Sequence, residues 1–128
     1  MQLADPKQIL RSAKSILLVD WASRDVPLSL VQAGFEVFCA SPGRYSVVEL
    51  GEDNCIFFHQ LEKNPAHVDI VNVFRPENEH EEIVARYVIP LGAKVLWLQP
   101  SIGSGTARRL GLEHGFELVE GVDIASAV

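Results

Sequence analysis

The stretch SILLVDWASRDVP, residues 15–27, joins two local patterns at Asp20. Residues 15–20 form a continuous apolar run bounded by polar residues, without the in–out alternation of a strand that has one face in water. Such a run reads as a strand buried on both faces, as in a parallel sheet. Asp25 or Val26 then precedes Pro27, which suits the first turn of a helix through PLSLVQAG that closes at Gly34. A buried strand leading directly into a helix is the first half of a βαβ unit.

The pattern repeats outward from this point. FEVFCA (35–40), VDIVNVF (68–74), AKVLWLQ (93–99) and FELVE (116–120) read as strands. Helices are expected over 5–13, with Asp5 as cap and Pro6 in the first turn, from Pro76 to about Val88, and over GTARRLGLEHG, closing at Gly115. Glu77, Glu79, Glu81 and Glu82 suit the positive end of the second of these, and Pro90 stops it. SVVEL and CIFF read as a hairpin across GEDN. The alternation predicts one α/β domain over residues 1–128: a doubly wound, mostly parallel sheet with helices on both faces, in three layers. Ligands of such sheets bind beyond the carboxyl ends of the strands at the switch point, which directs attention to 20–25, 40–45, 74–77 and 99–104.

Composition narrows the function. The chain is 48% hydrophobic and 22% charged, a globular profile, and its net charge of −6 argues against a general nucleic-acid binder. Its apolar runs fall far short of the roughly 20 residues that span a membrane, and the opening MQLADPKQILRSAKS has mixed charge unlike a signal peptide. Cys39 and Cys55 lie in apolar runs with no CxxC spacing, so two buried, reduced thiols and a cytoplasmic location are expected. His59, His67, His80 and His114 are scattered, and HEE at 80–82 is expected on a solvated helix face rather than in a metal site. There is no GxSxG elbow and no phosphate-binding GxxxxGK[ST]. NAD binding is disfavoured, because GxGxxG is absent and FEVFCAS ends without an acid for the ribose. Cys39 and His80 are the only suggestions of catalysis, so an enzyme, or an enzyme subunit completed by another chain, is the weakest reading.

The strand ends carry the candidate binding residues. Trp21, Ala22, Ser23 and Arg24 precede a helix whose free N–H groups attract anions, with Asp20 opposing this unless it points away or pairs with Arg24. The alternative is a plain tight turn in which Trp21 covers the sheet edge. Arg44, in SPGRY, is a candidate phosphate contact with Tyr45 against a base, or an ordinary exposed arginine. Phe74 and Arg75 suit an adenine ring with its ribose or phosphate, unless Phe74 is core and Arg75 pairs with the acidic helix. Gln99 and Ser101 are donors at the next strand end.

VDIVNVFRPENEHEEIV (68–84), followed by GAKVLWLQPSI (92–102), resembles the small stand-alone CoA-binding domain proteins. These are similar in turn to the N-terminal Rossmann-like domain of the succinyl-CoA synthetase α subunit. The resemblance runs over about residues 10 to 122 and implies a Rossmann-like domain that holds CoA or acyl-CoA by its adenosine diphosphate part. It implies that residues 20–24 and the start of the next helix, at Pro27, face the pyrophosphate. Ser41 and Pro42 stand where the family has Asn-Pro, and Arg44 lies near a family lysine, toward the 3′-phosphate. Phe74, Arg75 and Pro76 would line the adenine side, with Gln99 at the neighbouring strand end. The first loop departs from the family: Trp21 replaces the glycine of a Gly-Ala-Ser turn, the loop and helix are shorter, and Asp20 is added. Glycine permits close backbone approach to a pyrophosphate, and an indole does not. Two readings therefore stand: a CoA-binding module without catalytic residues, or a scaffold that has lost its nucleotide site and binds a protein partner. A homo-oligomer is compatible with either.

Overall fold

The structure, a computed structural model, describes residues 5–41 and 44–128. Seven strands form one sheet in the order β4-β3-β2-β1-β5-β6-β7. They are β1 Ser15–Val19, β2 Glu36–Ser41, β3 Arg44–Leu50, β4 Ile56–Gln60, β5 Ile70–Val73, β6 Val95–Leu98 and β7 Glu117–Val119. The run β2-β1-β5-β6-β7 is parallel, and β3 and β4 extend it as antiparallel strands. From β1 the chain builds one way to β2, β3 and β4, then returns to add β5 on the other side of β1. That reversal places the switch point between β1 and β5.

Every residue of β1, β5 and β6 is buried, and all but Ser15 and Asn72 are apolar. The pleat sends alternate side chains to opposite cores. Ile16, Leu18, Ile70 and Trp97 pack beneath α1 (Pro6–Ser12), α2 (Asp25–Gln32) and α5 (Ile124–Ala127). Leu17, Val71, Leu96 and Leu98 pack beneath the helical segment 77–88 and α4 (Gly105–His114). The result is the doubly wound, three-layer arrangement expected from the sequence.

Local chemistry sets the boundaries. Asp5 caps α1 by accepting from Lys7 N at 3.1 Å. Gly34 (φ 96°) follows α2 and Gly115 (φ 80°) closes α4, in the left-handed conformation that spares a glycine any Cβ clash. The 77–88 segment is not a uniform helix: a 3₁₀ turn, Glu77–Glu79, leads into α3, His80–Ile83, and a π turn, Val84–Val88. FELVE forms the last strand, β7, and beyond it Asp123 caps the short α5 by accepting from Ala125 N at 3.1 Å. Two expectations are corrected. Cys55 is exposed, since it precedes β4, an edge strand that no helix covers. His80 is fully buried rather than solvated, because the 3₁₀ entry turns it toward the sheet. Among the described residues no helix is long and apolar enough to cross a membrane.

Candidate functional site

Strands β1 and β5 stay hydrogen-bonded up to Phe74 N, which donates to Val19 O at 3.1 Å. Beyond that bond the chains separate, and Asp20 takes a left-handed backbone conformation (φ 67°). A cleft of about 700 Å³ opens here, beyond the carboxyl ends of β1, β2 and β5. A groove of about 890 Å³ lies at the opposite, amino end of the sheet, beside Asp69, Arg108 and Leu112. Topology selects the first, because open α/β sheets bind ligands at the carboxyl end, where the strand order reverses.

One wall lies on the α2 side. Trp21 stacks on Phe58 of β4 with centroids 5.6 Å apart and planes 5° from parallel. Its indole also packs against the α2-side core, so it flanks the cleft instead of crossing it. Such an aromatic pair contributes about 0.5–1.5 kcal/mol beyond its buried area. The Arg24 guanidinium carbon lies 5.4 Å from the Phe58 ring centre, and Nη2 donates to Ile56 O at 3.5 Å. Ser41, Ser46 and Cys39 complete this wall. Burial pushes the Cys39 thiol up to about 12, which keeps it protonated and unreactive near neutrality.

The other wall is built from the start of the 77–88 segment. Arg75 Nε donates to both carboxylate oxygens of Glu79 at 3.1 Å, and Nη2 donates to Oε2 at 2.7 Å. Its Nη1 donates to Asp20 Oδ2 at 3.1 Å. The contact with Arg75 holds the Glu79 carboxyl below its ordinary range, and Glu79 followed by Asp20 raises the Arg75 pKa. Asp20 thus pairs across the switch point with Arg75 rather than with Arg24. Further along, Arg86 Nη2 lies 2.7 Å from Glu82 Oε1, and Tyr87 is braced edge-on by Tyr45 at 6.0 Å. Behind this wall, His80 Nε2 donates to Arg75 O at 2.8 Å, since a carbonyl can only accept.

Of the residues singled out from the sequence, the structure brings Trp21, Ser41 and Arg75 together on the cleft. Ala22, Ser23 and Arg24 are exposed just outside its lining, and Pro27 is buried within α2. Arg44 is exposed at the start of β3, where strand alternation puts it on the face of Ser46. Pro42 lies outside the described residues. Phe74 is half-buried at the branch point, and Pro76 is exposed before the 3₁₀ turn. Gln99 is turned away and fully engaged: Oε1 accepts from Asn72 Nδ2 and Ile124 N, and Nε2 donates to Asp123 Oδ1. With Trp97 Nε1 donating to Val122 O at 2.8 Å, it fastens the C-terminal segment to the sheet. Phe58, Glu79, Glu82, Arg86 and Tyr87 line the cleft without having been singled out as binding residues. No local motif marks Phe58, which reaches the site only because the β3–β4 hairpin extends the sheet.

The CoA binding domain family matches residues 19–122. The chain belongs to this family. Its fold is similar to that of the Thermus thermophilus protein solved as cell-free ID.343, at 20% identity and a TM-score of 0.71, over 97% of this chain and 96% of that one. It is also similar to a hypothetical protein from Pyrococcus horikoshii OT3, at 21% identity and 0.71, over 95% and 86%. A conserved hypothetical protein from Pyrococcus furiosus matches at 23% identity and 0.61, over 91% and 99%.

Proposed function

We propose that the chain is a CoA- or acyl-CoA-binding module that receives the adenosine diphosphate part of its ligand in the carboxyl-end cleft. The observation that carries this reading is the position of Trp21. Lying on Phe58, the indole leaves a cleft of about 700 Å³, within the roughly 300–1,000 Å³ range of small-molecule sites. An indole filling the cleft would have favoured a scaffold for a protein partner. Ser41 offers a hydroxyl, and Arg24 and Arg44 offer charge at the rim for the pyrophosphate and the 3′-phosphate. Neither arginine has a carboxylate partner among the described residues. The groups nearest to catalytic types have other roles: the Cys39 thiol is protonated, and His80 is buried on Arg75 O. Binding rather than chemistry is the activity proposed.

The test is thermal. A ligand that binds only the folded state at 100 times its Kd stabilises that state by about 2.7 kcal/mol, a rise of several degrees in Tm. Millimolar CoA or acetyl-CoA is expected to produce that rise. A melting curve unmoved by both would overturn the proposal.

A further inference from the structure

The first loop carries an acid where an anionic ligand would approach. Asp20 is fixed there in two ways: its backbone is left-handed (φ 67°), and its Oδ1 accepts from Trp21 N at 2.9 Å. The other oxygen, Oδ2, meets Arg75 Nη1 at 3.1 Å. This contact crosses the crevice between β1 and β5, where ligands of open α/β sheets lie.

Arg75 has five N–H donors in a planar fork. Glu79, four residues along the same segment, takes Nε and Nη2, which fixes the plane of the guanidinium. Nη1 is the end left for a group from across the crevice, and Asp20 now holds it. Resting on the CoA reading, we propose that Asp20 competes with the ligand's diphosphate for Arg75 Nη1. In this way Asp20 sets how strongly the cleft selects for phosphate charge. The two side chains are 48% and 41% exposed, so the pair is screened and worth little. A doubly charged diphosphate can displace such a carboxylate, but must then lie beside it. A ligand without phosphate meets no such opposition.

Asp20→Asn isolates this effect. Asparagine also tolerates the left-handed conformation and retains an oxygen for Trp21 N, while losing the charge. Calorimetric titrations of CoA, ADP and adenosine into the wild type, Asp20→Asn, Arg75→Gln and the double variant form the test. Asp20→Asn is expected to tighten CoA and ADP about fivefold, the scale of one half-exposed ion pair, and to leave adenosine within about twofold. In the Arg75→Gln background the gain should shrink to the part that comes from removing a negative charge beside the diphosphate, because no guanidinium remains to be contested. Unchanged CoA and ADP affinities in Asp20→Asn, or an equal gain without Arg75, would overturn the competition while leaving CoA binding intact. Failure of all four proteins to bind CoA would remove the functional reading and this inference together.

Discussion

The two walls of the cleft treat charge in opposite ways. On the α3 side both guanidiniums are committed: Arg75 to Glu79 and Asp20, and Arg86 to Glu82. On the α2 side Arg24 and Arg44 have no carboxylate partner among the described residues, and the surface between strand and loop is aromatic. The difference follows from local geometry. A helical segment brings residues four apart together, so arginines placed among glutamates are neutralised by their own segment. Arg24 caps the start of α2, where the residue four ahead is Leu28, and Arg44 lies on a strand, where that spacing creates no neighbour. An acidic segment beside the proposed site can thus fix its own arginines in place, with only Arg75 Nη1 presented across the crevice, while Arg24 and Arg44 opposite keep their charge unpaired among the described residues.

The largest expected effect would break the α3 wall itself. His80→Ala removes a fully buried side chain and strands the Arg75 carbonyl, at an expected cost of about 2–4 kcal/mol. Urea denaturation measures it, and a loss below about 1 kcal/mol would mean that His80 does not hold this wall in place. A smaller effect sharpens the contrast between walls. Arg44→Ala is expected to weaken CoA about tenfold, the value of one charge-assisted hydrogen bond, and to affect dephospho-CoA much less. Equal losses for the two ligands would remove the 3′-phosphate assignment. Smallest of all, Arg86→Ala should change the Kd for CoA by no more than about twofold, because its guanidinium is already spent on Glu82. A tenfold loss there would erase the distinction between the walls.

Much of the fold was legible because its signals are local. The mainly apolar runs at 15–19 and 68–74 mark strands buried on both faces, and Gly34, Pro90 and Gly115 mark where elements stop. The last helix was not legible, because four residues after Asp123 carry no periodicity and are held by Trp97 and Gln99 from another element. Strand ends pointed to Trp21, Ser41 and Arg75, but not to the direction of each side chain. Gln99 shows why: it shares the sheet face of Trp97, and that face meets the C-terminal segment. The Asp20–Arg75 pair joins residues 55 apart, and only the assembled switch point brings them together.

The two tryptophans allow the most direct test of ligand binding at the carboxyl end. Trp21 flanks the cleft, whereas Trp97 is fully buried with its N–H bonded to Val122 O. In a ¹H–¹⁵N spectrum titrated with CoA, the Trp21 indole signal should move together with the backbone signals of Asp20 and Arg75, while the Trp97 indole signal stays in place. Signals that move only around Ile9, Arg108 and Leu112 at the amino-end groove, or no movement at all, would contradict binding in this cleft.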